Sequence, residues 1–194
     1  MEKLRIGCVV MAAGSAARFG RNKLAAEVDG KTLLRRALEA VPLNRFSRVA
    51  VVTQYPEAAA LAREFAFTPV ENTHPDWGIS HTISLGLDAL GDCDAALFLV
   101  SDQPLLEQAS VAELVDFYCL HPSHIAALGH GGVRGNPCLF PARFFPELRA
   151  LREDHGGSAV IRRHEDALLL YEVPARQLTD VDTRQALEEL THQP

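Results

Sequence analysis

The chain has 194 residues, 47% of them apolar and 23% charged, with a mean hydropathy of +0.00. That balance predicts one globular domain over residues 1–194, burying about 70% of its unfolded surface, and excludes a disordered chain, a collagen-like fibre and a membrane bundle. Nineteen basic against 25 acidic residues leave a net charge of -6 and a pI near 5.7, so nucleic acid meets no global basic field and an anionic ligand needs a local basic cluster.

The first apolar run, residues 6–11, could imitate a secretory signal because Lys3 and Arg5 precede it and small residues follow. It reads better as a buried strand, since the turn after it opens the most distinctive polar cluster of the chain. Further short apolar runs at 49–53, 95–100 and 125–128 have the unbroken character of strands covered on both faces. Between them, residues 32–41, 57–65, 79–90 and 110–118 carry apolar side chains at helical spacing. Strand and helix alternate, which defines an α/β fold built on one mostly parallel sheet. After residue 129 the alternation lapses. Gly129, Gly131, Gly132 and Gly135 lead into a short strand at 137–141, expected to be antiparallel and entered through a hairpin. A helix over 154–164, a strand over 168–173 and a closing helix over 183–190 complete the reading. No stretch approaches the roughly 20 apolar residues that span a bilayer. Cys8, Cys93, Cys119 and Cys138 are widely spaced with no C-x-x-C pair, which predicts reduced thiols in a cytoplasmic protein and no zinc site.

In an open α/β sheet, ligands bind beyond the carboxyl ends of the strands. The first such turn runs Ala12-Ala13-Gly14-Ser15-Ala16-Ala17-Arg18-Phe19-Gly20-Arg21-Asn22-Lys23. Small residues let backbone amides approach a phosphate, and Arg18, Arg21 and Lys23 supply charge. The spacing matches neither the dinucleotide fingerprint nor the Walker loop. Asp102 follows the strand 95–100, where it could hold Mg²⁺ or serve as a helix cap or turn residue. Asp180 and Asp182 precede the last helix, where Asp182 or Thr183 could equally be an N-cap. Together, a phosphate loop, one acidic strand end and a second acidic pair are what metal-assisted nucleotidyl transfer requires.

The first loop resembles the L-A-A-G-x-S-x-R-x-G-x-x-K signature of the small nucleotidyltransferases that activate the molybdenum cofactor, and the chain is similar to their cytidylyltransferase branch. The likeness extends through residues 72–87, Asp102-Gln103-Pro104, Gly135-Asn136-Pro137, Asp154-His155-Gly156-Gly157 and Asp180-Val181-Asp182-Thr183, in the family's order. Departures are the position of Ser15 directly after Gly14, His155, and Arg184 where the family has proline.

The resemblance implies a three-layer Rossmann-like nucleotidyltransferase fold and transfer of a nucleoside monophosphate from its triphosphate to a phosphorylated acceptor, with release of pyrophosphate. It assigns the triphosphate to Ala12, Ala13, Gly14, Ser15, Arg18 and Lys23. Mg²⁺ or Mn²⁺ goes to Asp102 with Asp182 or Asp180, and the acceptor to Gly135, Asn136 and Pro137. Arg18, Lys23 and Asp102 carry the chemistry. Ala12-Ala13, in place of the guanylyl branch's Gly-Gly, favours CTP, and the acceptor is then a molybdenum-bearing pterin monophosphate. A guanylyltransferase, a sugar 1-phosphate enzyme and a non-catalytic module delivering cofactor to a molybdoenzyme partner are the alternatives.

Gly78 and Ser80, beside Trp77, form a second expected nucleotide contact at the start of the helix 79–90. The eight histidines lack metal-ligand spacing, and Cys138 reads as a buried bystander thiol.

Overall fold

The computed structural model describes residues 4–14 and 23–191. Strand β1 (Ile6–Ala12) is followed by a short hairpin, β2 (Glu27–Val28) and β3 (Lys31–Thr32), and by helix α1 (Leu33–Glu39). Next come β4 (Arg48–Thr53), α2 (Pro56–Glu64), β5 (Thr68–Glu71), α3 (Ile79–Leu90) and β6 (Ala95–Val100). Helix α4 (Gln108–Leu120) leads to β7 (Ile125–His130) and β8 (Val133–Pro141). Helices α5 (Phe145–Arg149) and α6 (Gly157–Ile161), strand β9 (Leu168–Glu172) and helix α7 (Arg184–Thr191) follow.

Seven strands form one sheet in the order β5-β4-β1-β6-β8-β7-β9. β1 lies between β4 and β6 and is parallel to both, with Ala12 opposite Thr53 and Met11 opposite Val100. The late strand is antiparallel as expected: β8 pairs antiparallel with β6 and β7, while β9 is parallel to β7. Gly131 and Gly132, with φ of 57° and 78°, make the two-residue β7–β8 turn, the positive-φ geometry that matches strand twist.

Alternation along the strands divides two cores. Cys8, Val10, Val49, Val51, Leu97 and Leu99 face α1, α2 and α4. Val9, Ala50, Val52, Ala96 and Phe98 face α3, α5 and α6. Each valine, leucine or phenylalanine so buried contributes about 1.5–3 kcal/mol, and coverage on both faces explains the unbroken apolar runs. A satellite cluster of Val28, Leu33 and Val181 is flanked by Leu187 and Leu190 of α7. It anchors the C-terminal segment.

Three elements differ from expectation. The helix over 154–164 shrinks to the five residues of α6, because Gly156 and Gly157 lower helical propensity at its start. At its end, Arg163 and His164 close short turns back to Val160 and Ile161. The strand β5 was hidden by Pro69, which an edge strand tolerates; β5 is the sheet edge beside β4. The β2–β3 hairpin turns on Asp29-Gly30, with φ of 50° and 74°, a turn signal present in the sequence.

Helix α3 packs unusually close to the sheet: a Cβ on Gly86 would stand 2.5 Å from Val9 Cγ1. Gly86→Val should therefore cost roughly 3 kcal/mol through overpacking, read as a lower denaturation midpoint in a urea titration.

Candidate active site

The site is assembled where β1, β4 and β6 end. Ala12 and Ala13 are buried, and the carbonyls beyond β1 are held from the β4 side. Gln54 Nε2 donates to the Ala13 carbonyl at 2.7 Å, and Tyr55 Oη donates to the Gly14 carbonyl at 3.3 Å. A planar trans peptide sets the next N–H opposite its carbonyl. Gln54 therefore aims the Gly14 N–H away from β4. Ser15 and Arg18 lie outside the described residues.

At the end of β6, Ser101 Oγ donates to the Met11 carbonyl at 2.9 Å, tying the two strand exits together. Asp102 follows. Its Oδ2 accepts from Lys23 Nζ at 3.1 Å, and the same ammonium donates to Asp182 Oδ1 at 2.9 Å. Asp102 is not a helix cap, since α4 is preceded by Glu107. Asp182 is not one either, because Thr183 Oγ1 accepts from the Ala186 amide.

The Asp180-Val181-Asp182 segment runs beside Asp102, with the Val181 amide donating to the Asp102 carbonyl at 2.8 Å. Val181 turns into the satellite core. Both flanking carboxylates are therefore left on the opposite side, as the two-residue period of extended chain demands. Asp180 Oδ1 accepts from Gln103 Nε2 at 3.0 Å. Burial first, and then the Asp102 carboxylate, push the Asp180 carboxyl above its ordinary value, with Asp182 adding to the rise. The Gln103 amide and Lys23 pull it back.

The donor set bears on whether a divalent cation fits here. Asp102 Oδ1 is buried without a hydrogen-bond partner, while Asp102 and Asp182 already share one cationic centre. No group of three or more His, Cys, Asp or Glu side chains able to hold a metal occurs among the described residues. Two carboxylates nevertheless fit Mg²⁺ or Mn²⁺, because such ions commonly use one or two protein carboxylates and take water and phosphate oxygens for the rest.

Gly135, Asn136 and Pro137 lie on β8, and Gly135 packs so closely on Leu178 that a Cβ would sit 2.9 Å from its Cδ1. The Leu178 carbonyl accepts from Gln103, so this segment reaches the same edge as Asp180. Cys138 is buried, with its thiol directed to the Gly135 carbonyl.

Gly78 and Ser80 stand at the start of α3. The Ser80 amide donates to the Glu153 carbonyl, and Gly78, at φ 84°, leaves only 2.3 Å between a Cβ and that carbonyl. Trp77 is 55% exposed and stacks on His74. It lines a groove of about 590 Å³ with Ser80, His81, Ser84, Arg149 and Arg152, and neither Lys23 nor any of the three aspartates belongs to that lining.

Sequence reasoning missed Gln54, Tyr55, Ser101 and the orienting role of Gln103. Their only signal was position, as polar residues directly after strands at the ligand edge.

A mostly parallel sheet with a loop beyond its first strand and carboxylates beyond a neighbouring one defines an α/β enzyme of the nucleotidyltransferase class. Residues 8–168 match the MobA-like NTP transferase domain, and the chain belongs to that family. It is a nucleotidyltransferase whose family implies a nucleoside triphosphate substrate.

The purine catabolism protein PucB of Bacillus subtilis (strain 168) is 25% identical over 189 residues, covering 90% of each chain. The structure of Rv0371c from Mycobacterium tuberculosis H37Rv aligns with a TM-score of 0.81 at 20% identity, over 99% of this chain and 100% of that one. The same protein has been solved in complex with manganese, at a TM-score of 0.69. CMP:2-keto-3-deoxy-manno-octonic acid synthetase complexed with CTP aligns at 0.76 and 14% identity, over 96% of this chain and 97% of that one. No helix of the described residues is long and apolar enough to cross a membrane.

Gln54→Leu should raise KM for the nucleoside triphosphate several-fold while changing kcat less, measured by steady-state pyrophosphate release. Asp180 supplies a pH test. A carboxyl raised by folding contributes stability in full below its ordinary value of 3.8 and loses that contribution as pH rises through the folded-state value. Asp180→Asn should thus melt above the wild type near neutral pH, with the difference closing at low pH, measured by thermal melts across that range.

Proposed function

We propose that this nucleotidyltransferase transfers CMP from CTP to a molybdenum-bearing pterin monophosphate and releases pyrophosphate. The observation that carries the reading is the meeting of Lys23, Asp102 and Asp182 at the end of β6. The motif order of the chain and the 25% identical PucB agree with the family. The CTP and manganese complexes of structurally similar proteins support nucleotide and cation on this fold.

An oxygen of the acceptor phosphate forms a bond to the α-phosphorus of CTP, and the bond from that phosphorus to the bridging oxygen of the β-phosphate breaks. Pyrophosphate leaves with the electron pair. The acceptor phosphate is already ionised, so no side chain must remove a proton, and catalysis rests on positioning and electrostatics. Gln54 and Tyr55 hold the loop carbonyls back so that Gly14 presents its amide to phosphate. Lys23 and Arg18 neutralise the triphosphate, with Ser15 beside them.

Asp102 and Asp182 would hold Mg²⁺ or Mn²⁺, with Asp180 behind them. That ion supplies neutralisation of the phosphate charge. Gly135, Asn136 and Pro137 would line the acceptor side. Gly78 and Ser80, which brace the 153–154 segment, would act on the nucleotide only through the placement of α3. The methyl groups of Ala12 and Ala13 narrow the approach to the strand end and favour a pyrimidine. Because Asp102 points into the site and caps no helix, its removal should spare the fold.

The test measures pyrophosphate release with CTP, GTP, ATP and UTP, using molybdenum-loaded pterin monophosphate and Mg²⁺. CTP-dependent release that falls at least about a hundredfold in Asp102→Ala is expected, a loss of the size that follows removal of a major electrostatic contact. Release with GTP would make the chain a guanylyltransferase. Release only with a sugar 1-phosphate would move the acceptor, and silence with every pair would leave cofactor delivery to a molybdoenzyme.

A further inference from the structure

Lys23 occupies an unexpected place for a phosphate ligand. Its side chain is only 14% exposed and its ammonium is hydrogen-bonded to Asp102 and Asp182. Those are the two carboxylates suited to a divalent cation. An ammonium held on the same carboxylates opposes a dication, because their repulsion at contact distance is large in a partly desolvated site. Two of the three ammonium hydrogens of Lys23 run to aspartates, so a triphosphate that engages them competes with Asp102 and Asp182. Asp102 Oδ1, buried and without a partner, shows that one ammonium leaves the acidic pair incompletely satisfied.

We infer that Lys23 is an exchangeable counter-ion: it balances Asp102 and Asp182 in the free protein and transfers to the nucleotide phosphates when a divalent cation takes those carboxylates. The inference rests on the proposed nucleotidyltransferase site, and adds that cation and nucleotide bind with positive coupling. Each frees what the other needs. The cation alone must expel Lys23 from its two acceptors, and the nucleotide alone must draw Lys23 away from them. When both bind, Lys23 exchanges one set of anionic oxygens for another. Such coupling is reciprocal.

The sign of this effect is unusual and therefore decisive. Mn²⁺ binding without nucleotide is followed by the paramagnetic resonance signal of the free ion, in the full chain, for wild type, Lys23→Gln and Lys23→Arg. The Gln variant should bind Mn²⁺ roughly tenfold tighter than wild type, a shift well within what loss of an adjacent charge produces. The Arg variant should stay near wild type, and thermal melts establish that each is folded. Equal, measurable affinities in wild type and Lys23→Gln overturn the exchange and leave the cation site standing. Absence of binding in all three overturns both.

A second arm does not depend on altering Lys23. Metal-free CTP binding is measured by equilibrium dialysis in the presence of chelator. Asp182→Asn, which releases one anchor of Lys23, should bind CTP several-fold tighter than Asp180→Asn, which removes the same charge without touching that ammonium. Equal affinities of these two variants would overturn the exchange.

Discussion

Carboxylates gathered at one edge of a sheet repel one another, and among the described residues Lys23 is the cation that meets this constraint. Lys23 Nζ donates to Asp102 and Asp182, and Gln103 donates to Asp180. Among the described residues, the acidic cluster is thus held by the charge of Lys23 and the amide of Gln103. Asp180 carries the residual cost, since burial and its acidic neighbours raise its proton affinity.

The scaffold explains why these groups meet although 79 residues separate Lys23 from Asp102 and 159 separate it from Asp182. β1 and β6 are adjacent and parallel, so the loop after one and the turn after the other emerge side by side. Ser101 fastens the two exits through the Met11 carbonyl. The third contributor arrives from the C-terminal segment, whose Val181 is buried with Val28 and Leu33. One apolar residue between two aspartates positions both of them. Substituting it would disturb a core and a catalytic edge at once.

Family membership places the chemistry within nucleotidyl transfer. Several segments border the edge where Lys23 meets the aspartates. The β7–β8 hairpin adds Gly135, Asn136 and Pro137 on one side. The Trp77 groove lies against α3 and the 149–153 segment, outside the lysine and aspartate cluster. Gln54 and Tyr55 face the first loop from β4.

The linear sequence by itself determined the alternation of strands and helices, because an unbroken apolar run buries both faces of a strand and helical spacing buries one face of a helix. The late antiparallel strand was legible from its glycines, and Lys23, Asp102, Asp180 and Asp182 stood out because each lies beyond a strand or before a helix. β5 was not legible, since Pro69 masks a strand that only an edge position permits. Nor was the shortening of α6, which follows from local glycines and closing turns. What the tertiary structure alone decided was partnership. That Lys23 bonds to two aspartates, that Gln54 reaches the Ala13 carbonyl and that Gln103 orients Asp180 all depend on which strands become neighbours. Periodicity reports the face a residue presents to the core, whereas a hydrogen bond between distant segments exists only once the sheet order has brought their ends together.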